Sequence, residues 1–170
     1  LLSEAWCRAS VHPDEKRLAQ VDPDNRLLAR FHLRRLTAEE LRDSMLLASG
    51  ELNEEQGGLP VRPEIELEVA LQPRQIMGTY APAYQPSTLP AQRHRRSLYV
   101  MQIRGLRDPF LEVFNQPSSI KSCSRRESST ITPQVFAMWN GQFSHDRALA
   151  MAVSILRKTQ TQSEAIQQSF

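Results

Sequence analysis

The sequence predicts a mainly α fold, namely a compact helical domain with a long irregular Pro-rich excursion and at most a small β element. Two observations carry this prediction. Apolar residues recur at helical spacing, behind typical helix starts, on both sides of the excursion. Between residues 53 and 95, where six of the eleven prolines fall, such patterns are interrupted, because proline removes a backbone donor and breaks helices.

The chain is predicted to open inside a helix, on the spacing of Leu1, Leu2, Ala5 and Trp6. Residues 10–25 are polar and turn-rich, and two prolines, Pro13 and Pro23, are predicted to break any helix through them. A short helix is then predicted over residues 25–31, capped by Asp22 or Asp24.

A capping box predicts the next helix. Thr37 and Glu40 have the N-cap to N3 spacing at which each side chain accepts a backbone N–H. One apolar stripe follows on this helix, formed by Leu41, Met45, Ala48 and Leu52. Gly50 is predicted to end the helix.

Two short strands are predicted in and after the excursion. Residues 64–71 alternate acidic and apolar side chains, which suits a short one-sided strand or an extended edge. Residues 96–103 are rich in β-branched and aromatic side chains. The rest of the excursion is predicted to be irregular. Its aromatic content argues against disorder, so we expect it to wrap over the helices or over a neighbouring domain.

The last third of the chain is predicted to be helical. Asp108 and Pro109 start a helix with an inward apolar face, formed by Phe110, Leu111 and Phe114. Thr132 is predicted to cap the next helix and Ser144 the one after it. The main stripe of that last helix is Leu149, Ala152, Val153 and Leu156, with Met151 and Ile155 widening it, so we expect the helix to be well buried.

A final helix start, the capping box of Thr161 and Glu164, is followed by only six residues. We therefore expect residues 1–170 to be a single helical domain cut from a longer multidomain protein. The net charge of +2 creates no strong field, so nucleic acid is not predicted as a partner, and the basic run of residues 93–96 is taken as a solvated face. No apolar run reaches the roughly 18 residues of a membrane span.

Cysteine spacing indicates neither a metal nor an attached haem. The two cysteines, Cys7 and Cys123, belong to no C-x-x-C or C-x-x-C-H pattern, and no histidine motif for zinc occurs. A disulfide between them is possible in an oxidising compartment, although two unrelated thiols are the favoured interpretation. We predict no metal and no cofactor within these residues.

The segment from Cys123 to Asn140 is the most unusual stretch of the chain. Its thiol stands beside Arg125 and Arg126, which would suit an activated nucleophile, and the hydroxyls that follow would suit an anion site. Both chemistries lack a partner motif, since no histidine spacing and no Gly-rich loop accompanies them. Packing and turn formation are therefore the favoured roles, and no catalytic residue is predicted.

Six strings of this chain, taken in order, carry a family resemblance: DPDNRLLARF, RRLTAEELRDSMLLASGEL, GGLPVRP, RHRRSLYV, RDPFLEVFNQP and CSRRESSTITPQVFAMWN. They resemble the planctomycete-specific domain one family, also catalogued as domain of unknown function fifteen-fifty-three. The resemblance implies the C-terminal part of a large exported bacterial protein, located in the periplasm or at the cell surface. It also implies a cytochrome-c-like domain upstream, hence haem outside this chain, and no established activity.

The resemblance also selects residues. The positions that match the family's motifs are Arg34, Arg35, Glu40, Arg42, Asp43, Arg95, Arg96, Cys123, Arg126, Thr130, Gln134 and Asn140. The candidate binding residues among them are Arg42, Arg96, Cys123, Arg126, Thr130, Gln134 and Asn140. We expect Arg42 and Asp43 to form a buried or half-buried ion pair with a later motif residue such as Arg126, which would lock helices together.

Three functions follow from these observations. The leading one is a non-catalytic structural or interaction module that contacts neighbouring domains of its parent chain. The alternative is part of an enzyme active site shared with missing domains, with Cys123 and Arg126 in its pocket. A third is a glycan-binding surface on which exposed Tyr80 and Tyr84 stack on sugars.

Overall fold

A computed structural model describes residues 3–169 of the chain. It is mainly helical, with a long irregular excursion and one small β-hairpin, and thereby confirms the predicted fold class. The chain divides into two compact units, one up to Arg35 and one from Leu36 onward. The prediction that residues 1–170 are a single domain cut from a longer protein stays a prediction.

The first unit contains a 3₁₀ turn, Glu4–Cys7, and helix α1, Glu15–Val21. The predicted break through residues 10–25 is wrong, because α1 fits between the two prolines. Asp14 caps it by accepting the Arg17 N–H at 3.1 Å. Of the predicted opening helix, Leu1 and Leu2 lie outside the described residues, and so does the side chain of Trp6.

The helix predicted over residues 25–31 is wrong, since a side-chain-stabilised turn replaces it. The Asp22 carboxylate accepts the N–H groups of Arg26 and Leu27 at 2.8 and 2.7 Å. Asn25 has a left-handed backbone and hydrogen bonds to Arg30 through both ends of its amide. Asp and Asn side chains that capture backbone groups in this way offer the chain an alternative to a helix.

The second unit contains the remaining helices of the described residues. They are α2 Ala38–Ser49, α3 Leu67–Ala70, α4 Pro90–Arg93, α5 Pro109–Val113, α6 Thr132–Asn140, α7 Gln142–Lys158 and α8 Gln162–Gln168. The hairpin pairs strands β1 Arg74–Ile76 and β2 Thr79–Ala81 in antiparallel register, with Gln75 opposite Tyr80. Helix α2 packs against α5, α7 and the turn at residues 97–99.

Helix α2 starts and ends where the sequence predicts. Both hydrogen bonds of the Thr37–Glu40 capping box are present, and Gly50 ends the helix in the left-handed conformation. The predicted Thr161–Glu164 box is also present, at the start of α8. The buried face of α2 is displaced from the predicted stripe, since its buried residues are Ala38, Arg42, Leu46 and Ser49.

Both predicted strands are wrong. Residues 64–71 are irregular before the single helical turn of α3, and residues 97–99 form a 3₁₀ turn. Isolated bridges form here instead of a sheet. In one of them Val61 pairs with Val100: the Val61 N–H donates to the Tyr99 carbonyl at 2.8 Å, and the Met101 N–H donates to the Val61 carbonyl at 2.9 Å. β-Propensity alone does not form a strand where no neighbouring strand supplies a continuous ladder.

Two small apolar cores lie in the second unit. The first joins α2, α5, α6 and α7 around Ala38, Phe110 and Leu111, with the Phe110 and Phe143 ring centroids 5.2 Å apart. This confirms Asp108 as the α5 cap and the inward face of that helix. The second core lies in the excursion around Ala70, Tyr84 and Leu106.

Helices α6 and α7 are joined by one residue, Gly141. A Cβ atom there would lie 2.3 Å from the Ala137 carbonyl oxygen, so only glycine fits this corner. The predicted caps of both helices are wrong: Thr132 is the first helical residue of α6, and Ser144 lies inside α7. The Ser144 hydroxyl instead donates to the Ala137 carbonyl at 3.0 Å across the corner. Among the described residues, no helix is long and apolar enough to cross a membrane.

Candidate functional site

Helix α7 exposes an apolar face. Its buried residues are Ser144 and Arg147. The half-buried residues are both polar and apolar, and include Phe143, Ala150, Met151, Ser154 and Ile155. The side chains expected to form its buried stripe are exposed, with Leu149 at 67%, Val153 at 39% and Leu156 at 66% of their full accessibility. The prediction of a well-buried helix is therefore wrong. We call Ala148, Leu149, Ala152, Val153 and Leu156 the outer face of α7.

A cluster of charged and polar side chains contacts the inner face of α7. Arg147 Nη1 lies 3.0 Å from His94 Nε2, within hydrogen-bond geometry, and 2.8 Å from Glu51 Oε2, as an ion pair. His94 Nδ1 lies 3.8 Å from the other oxygen of Glu51. This cluster joins three parts of the second unit: the segment after α2, the segment after α4, and α7.

The cluster favours a neutral His94. Burial lowers the pKa of His94 below its ordinary value of 6.5, and the Arg147 guanidinium lowers it further. Glu51 acts in the opposite direction without reversing the shift. Because Arg147 donates to Nε2, the neutral imidazole must leave that nitrogen free to accept. Protonation would place a second cation against the guanidinium.

Helix α2 carries one cation, Arg42, and its side chain is buried. Its guanidinium donates to the Arg93 and Arg95 carbonyls at 2.8 and 3.0 Å, and to the Ser97 hydroxyl at 3.2 Å. Burial lowers the pKa of Arg42, and the neighbouring carboxylates oppose that effect. The residue therefore fixes the end of the excursion to α2.

Asp43 completes this attachment from the next position of α2. Its Oδ1 accepts both the backbone N–H and the hydroxyl of Ser97 at 2.7 Å, and lies 3.5 Å from Arg42 Nη1. The Arg42–Asp43 pair thus recognises backbone and a serine hydroxyl. Its partner in the structure is the chain around Ser97, whereas Arg126 pairs with Glu39.

A second buried arginine, Arg95, fixes the beginning of the excursion. Its guanidinium donates to the carbonyls of Glu55, Gly57 and Leu59, and lies 4.1 Å from the Tyr99 ring centroid. Arg95 was matched to the family's motifs without a physical role. The signal that could have indicated a role is the position of Arg95 among the other motif residues, at the end of the excursion, where its two ends must be brought together.

The seven candidate binding residues do not share one site in the way an active site would require. Arg42 contacts residues 93–97, as described above. Gln134 is buried and donates to the Val113 carbonyl at 2.9 Å, while its Oε1 accepts the Ile131 N–H at 3.3 Å. Three others, Arg96, Thr130 and Asn140, are exposed. Their binding roles stay predictions.

Cys123 and Arg126 also lie at the surface. The Cys123 thiol is free and contacts the Arg125 carbonyl at 3.1 Å, and Cys7 is free as well. Arg126 Nη1 lies 2.6 Å from Glu39 Oε2. Although burial of Glu39 opposes it, this hydrogen bond lowers the pKa of Glu39, and it raises the pKa of Arg126. Arg126 thus ties the irregular segment to the first turn of α2, and the shared enzyme site stays a prediction.

The predicted pair of exposed tyrosines is wrong. Tyr80 is exposed on β2, but Tyr84 is buried in the second core and donates its hydroxyl to the Pro63 carbonyl at 2.7 Å. Burial raises the pKa of Tyr84 to about 12. Glycan binding by other means stays a prediction.

Two cavities border the second core. The smaller one, of ≈ 20 Å³, has room for about one water molecule and is lined by residues that include Tyr84, Asp108 and Gln116. Burial raises the pKa of Asp108 there. An open groove of ≈ 340 Å³ lies beside Arg107 and Ile120, where Arg107 is already bonded to Glu112 and the Gln116 carbonyl. Across residues 3–169, no group of three or more potential ligands could hold a metal ion.

Comparison with known proteins gives one match. The chain matches the family model described as "PSD1: Protein of unknown function (DUF1553)" over residues 1–170. No curated protein and no solved structure matches. Because the match spans the full length of the chain, this protein belongs to the PSD1 family of unknown function (DUF1553), as its motifs indicated.

Proposed function

We propose that this chain is a non-catalytic interaction module that binds another protein surface through the outer face of α7. The exposed apolar face of α7 is the observation that supports this proposal. Helices of globular proteins bury their apolar stripe, but α7 buries Ser144 and Arg147 and exposes Leu149 and Leu156. A partner that covers the outer face would restore the usual arrangement.

The neighbouring helix α6 also exposes apolar side chains. On α6, Trp139 is 76% exposed, and Val135 and Phe136 are more than half exposed. Large aromatic side chains are the residues that most often anchor protein interfaces. They support a role in binding rather than in packing of this chain.

The total accessible surface supports the same role. The chain exposes 13052 Å² at a mass of 19.4 kDa, whereas a compact monomer of that mass exposes about 8,500 Å². Even two separate compact units of these lengths would expose only about 10,000 Å² together. This excess of accessible surface is consistent with a chain whose surface is partly covered by partners.

The family resemblance suggests the setting of this module. It implies an exported bacterial multidomain protein, located in the periplasm or at the cell surface, with a cytochrome-c-like domain upstream. In that setting, the module holds neighbouring domains of the parent chain together, and haem chemistry belongs to the upstream domain.

Hydroxyl-radical footprinting of the isolated chain and of the natural protein that contains it tests this proposal. We expect oxidation of Trp139, Leu149 and Leu156 to fall several-fold in the natural protein, because a partner surface excludes solvent there. Met77, which is fully exposed at the hairpin turn, is the reference whose oxidation normalises the two samples. Equal oxidation of all three residues in both samples would overturn the proposal.

A further inference from the structure

We infer that the outer face of α7 binds a second copy of this chain, with the two α7 helices antiparallel across a two-fold axis. This inference rests on the proposed function and specifies the partner. It is drawn from two features of α7: Leu149 and Leu156 lie at symmetric positions about residues 152 and 153, and opposite charges, Asp146 and Arg157, lie near its two ends.

The apolar side chains of the outer face are arranged symmetrically. Leu149 and Leu156 are seven residues, or two helical turns, apart and lie on the same side of α7. Between them lie Ala152 and Val153, both exposed. In an antiparallel pair centred there, Leu149 of each copy packs against Leu156 of the other. The small Ala152 side chain permits the helices to approach closely at the axis.

The charges near the ends of the helix are complementary under the same symmetry. Asp146 near the start of α7 and Arg157 near its end are eleven residues apart, which places them on one flank of the outer face. The two-fold axis brings Asp146 of one copy beside Arg157 of the other, twice per dimer. Residues 148–156 between them carry no charge, so no like-charge contact opposes the pairing.

The size of the face sets the strength of the dimer. Its five apolar side chains expose on the order of 400 Å², so one pair buries about 800 Å², less than the ~1,200 Å² at the low end of stable interfaces. We therefore expect a concentration-dependent dimer rather than a permanent one.

Sedimentation velocity of the purified chain between 1 and 500 µM is the first test. We expect a shift from monomer to dimer across this range, and Leu149→Asp should raise the dissociation constant by roughly tenfold or more, because it buries a charge opposite Leu156. Leu98→Asp is the matched control, since Leu98 is 78% exposed outside α7. Both sites are exposed, so circular dichroism should show folded variants.

Charge reversal tests the antiparallel arrangement itself. Asp146→Arg and Arg157→Asp should each weaken the dimer, and the double variant should restore it, because the symmetric pair is re-formed with opposite signs. In a Cys7→Ser, Cys123→Ser background, Ala152→Cys should form a disulfide dimer on mild oxidation, since the axis brings the two copies of this position together.

Two results would overturn the inference. The first is a chain that remains monomeric at 500 µM, and the second is a double charge reversal that dimerises no better than the single variants. If the chain is monomeric while footprinting still shows a covered α7 in the natural protein, the second copy is the wrong partner and the interaction module stands. If α7 is equally oxidised in both samples and the chain is monomeric, both proposals fail.

Discussion

Helices α2 and α7 pack against each other, and each buries an arginine and a serine, but they differ in how much of their apolar surface is buried. On α2, the apolar Ala38 and Leu46 are almost fully buried, at 1% and 0% exposure. On α7, the apolar Leu149 and Leu156 are exposed, and the buried side facing the unit carries Arg147 and Ser144.

The difference shows what holds each part of the second unit together. The α2–α5 side is held mainly by burial of apolar surface. Helix α7 adds Phe143 to that core, but its buried residues are polar and contact His94, Glu51 and the Ala137 carbonyl. A polar attachment contributes specificity of position more than stability, because burying charges costs much of the energy that their pairing supplies. The apolar face of α7 is consequently left available for association.

The largest effect is expected at the polar attachment of α2. Arg42→Ala removes a buried guanidinium that contacts two carbonyls, a hydroxyl and a carboxylate, and leaves the Arg93 and Arg95 carbonyls without this donor. We expect the free energy of unfolding to fall by about 3–5 kcal/mol, measured by chemical denaturation. Arg42→Lys should lose part of this stability, because one ammonium cannot reproduce the planar set of donors.

Arg126→Ala is the matched comparison, since it removes another motif arginine from the α2 region. Its guanidinium is half exposed beside Glu39, and exposed ion pairs contribute less than about 1 kcal/mol. A loss at Arg126 as large as that at Arg42 would contradict the assignment of Arg42 as the buried attachment.

The apolar faces of the two helices give the second comparison. Leu46→Ala creates a cavity at a fully buried position, and we expect a loss of about 3 kcal/mol in the free energy of unfolding. Leu149→Ala, at an exposed position, should change it by less than about 0.5 kcal/mol when the chain is dilute. Equal losses in denaturation at low micromolar concentration would mean that the outer face of α7 is packed within the chain.

The sequence predicted helix ends and apolar patterns better than it predicted burial. The α2 capping box, its closing Gly50 and the Asp108 cap are local hydrogen-bond chemistry, and all are present. The strands at residues 64–71 and 96–103 failed because strand formation depends on a distant partner that local propensity does not reveal. The helix at residues 25–31 failed because Asp22 and Asn25 capture the backbone.

The candidate site was predictable only in part. Periodicity located the apolar stripe of α7 but could not say whether this chain covers it. The sequence carried a further signal. Ser144, Arg147 and Ser154 recur on the side opposite that stripe, whereas a helix face exposed to solvent is expected to carry more charged residues. The contacts of Arg147 with His94 and Glu51 join residues more than 50 positions apart, and no spacing rule reaches that far.

A smaller effect is expected at the helix starts. Thr37→Ala removes the hydroxyl that accepts the Glu40 N–H, which is one half of the capping box. We expect a loss of about 1 kcal/mol in the free energy of unfolding. Thr132→Ala is the control, because Thr132 is the first helical residue of α6 rather than its cap, and should change stability by less than about 0.5 kcal/mol. Equal effects would show that the predicted Thr132 cap operates in solution.

The last and smallest effect concerns the pH dependence of the inner face of α7. The pKa of His94 is lowered in the folded chain by burial and by Arg147, with Arg42 adding to the shift and Glu51 and Glu64 opposing it. The unfolded chain therefore binds this proton first as the pH falls below about 6.5, so stability decreases from there until the pH passes the lowered pKa of the folded state.

His94→Gln isolates this contribution. Glutamine keeps an acceptor for Arg147 but does not titrate, so denaturation midpoints of the variant should fall less between pH 7.5 and pH 5.5 than those of the natural chain. His145→Gln is the control, because His145 is exposed near the start of α7 and should leave the pH dependence unchanged. Parallel pH profiles for the natural chain and His94→Gln would mean that the Arg147–His94 contact does not hold the inner face. The attachment of α7 would then rest on the Arg147–Glu51 ion pair.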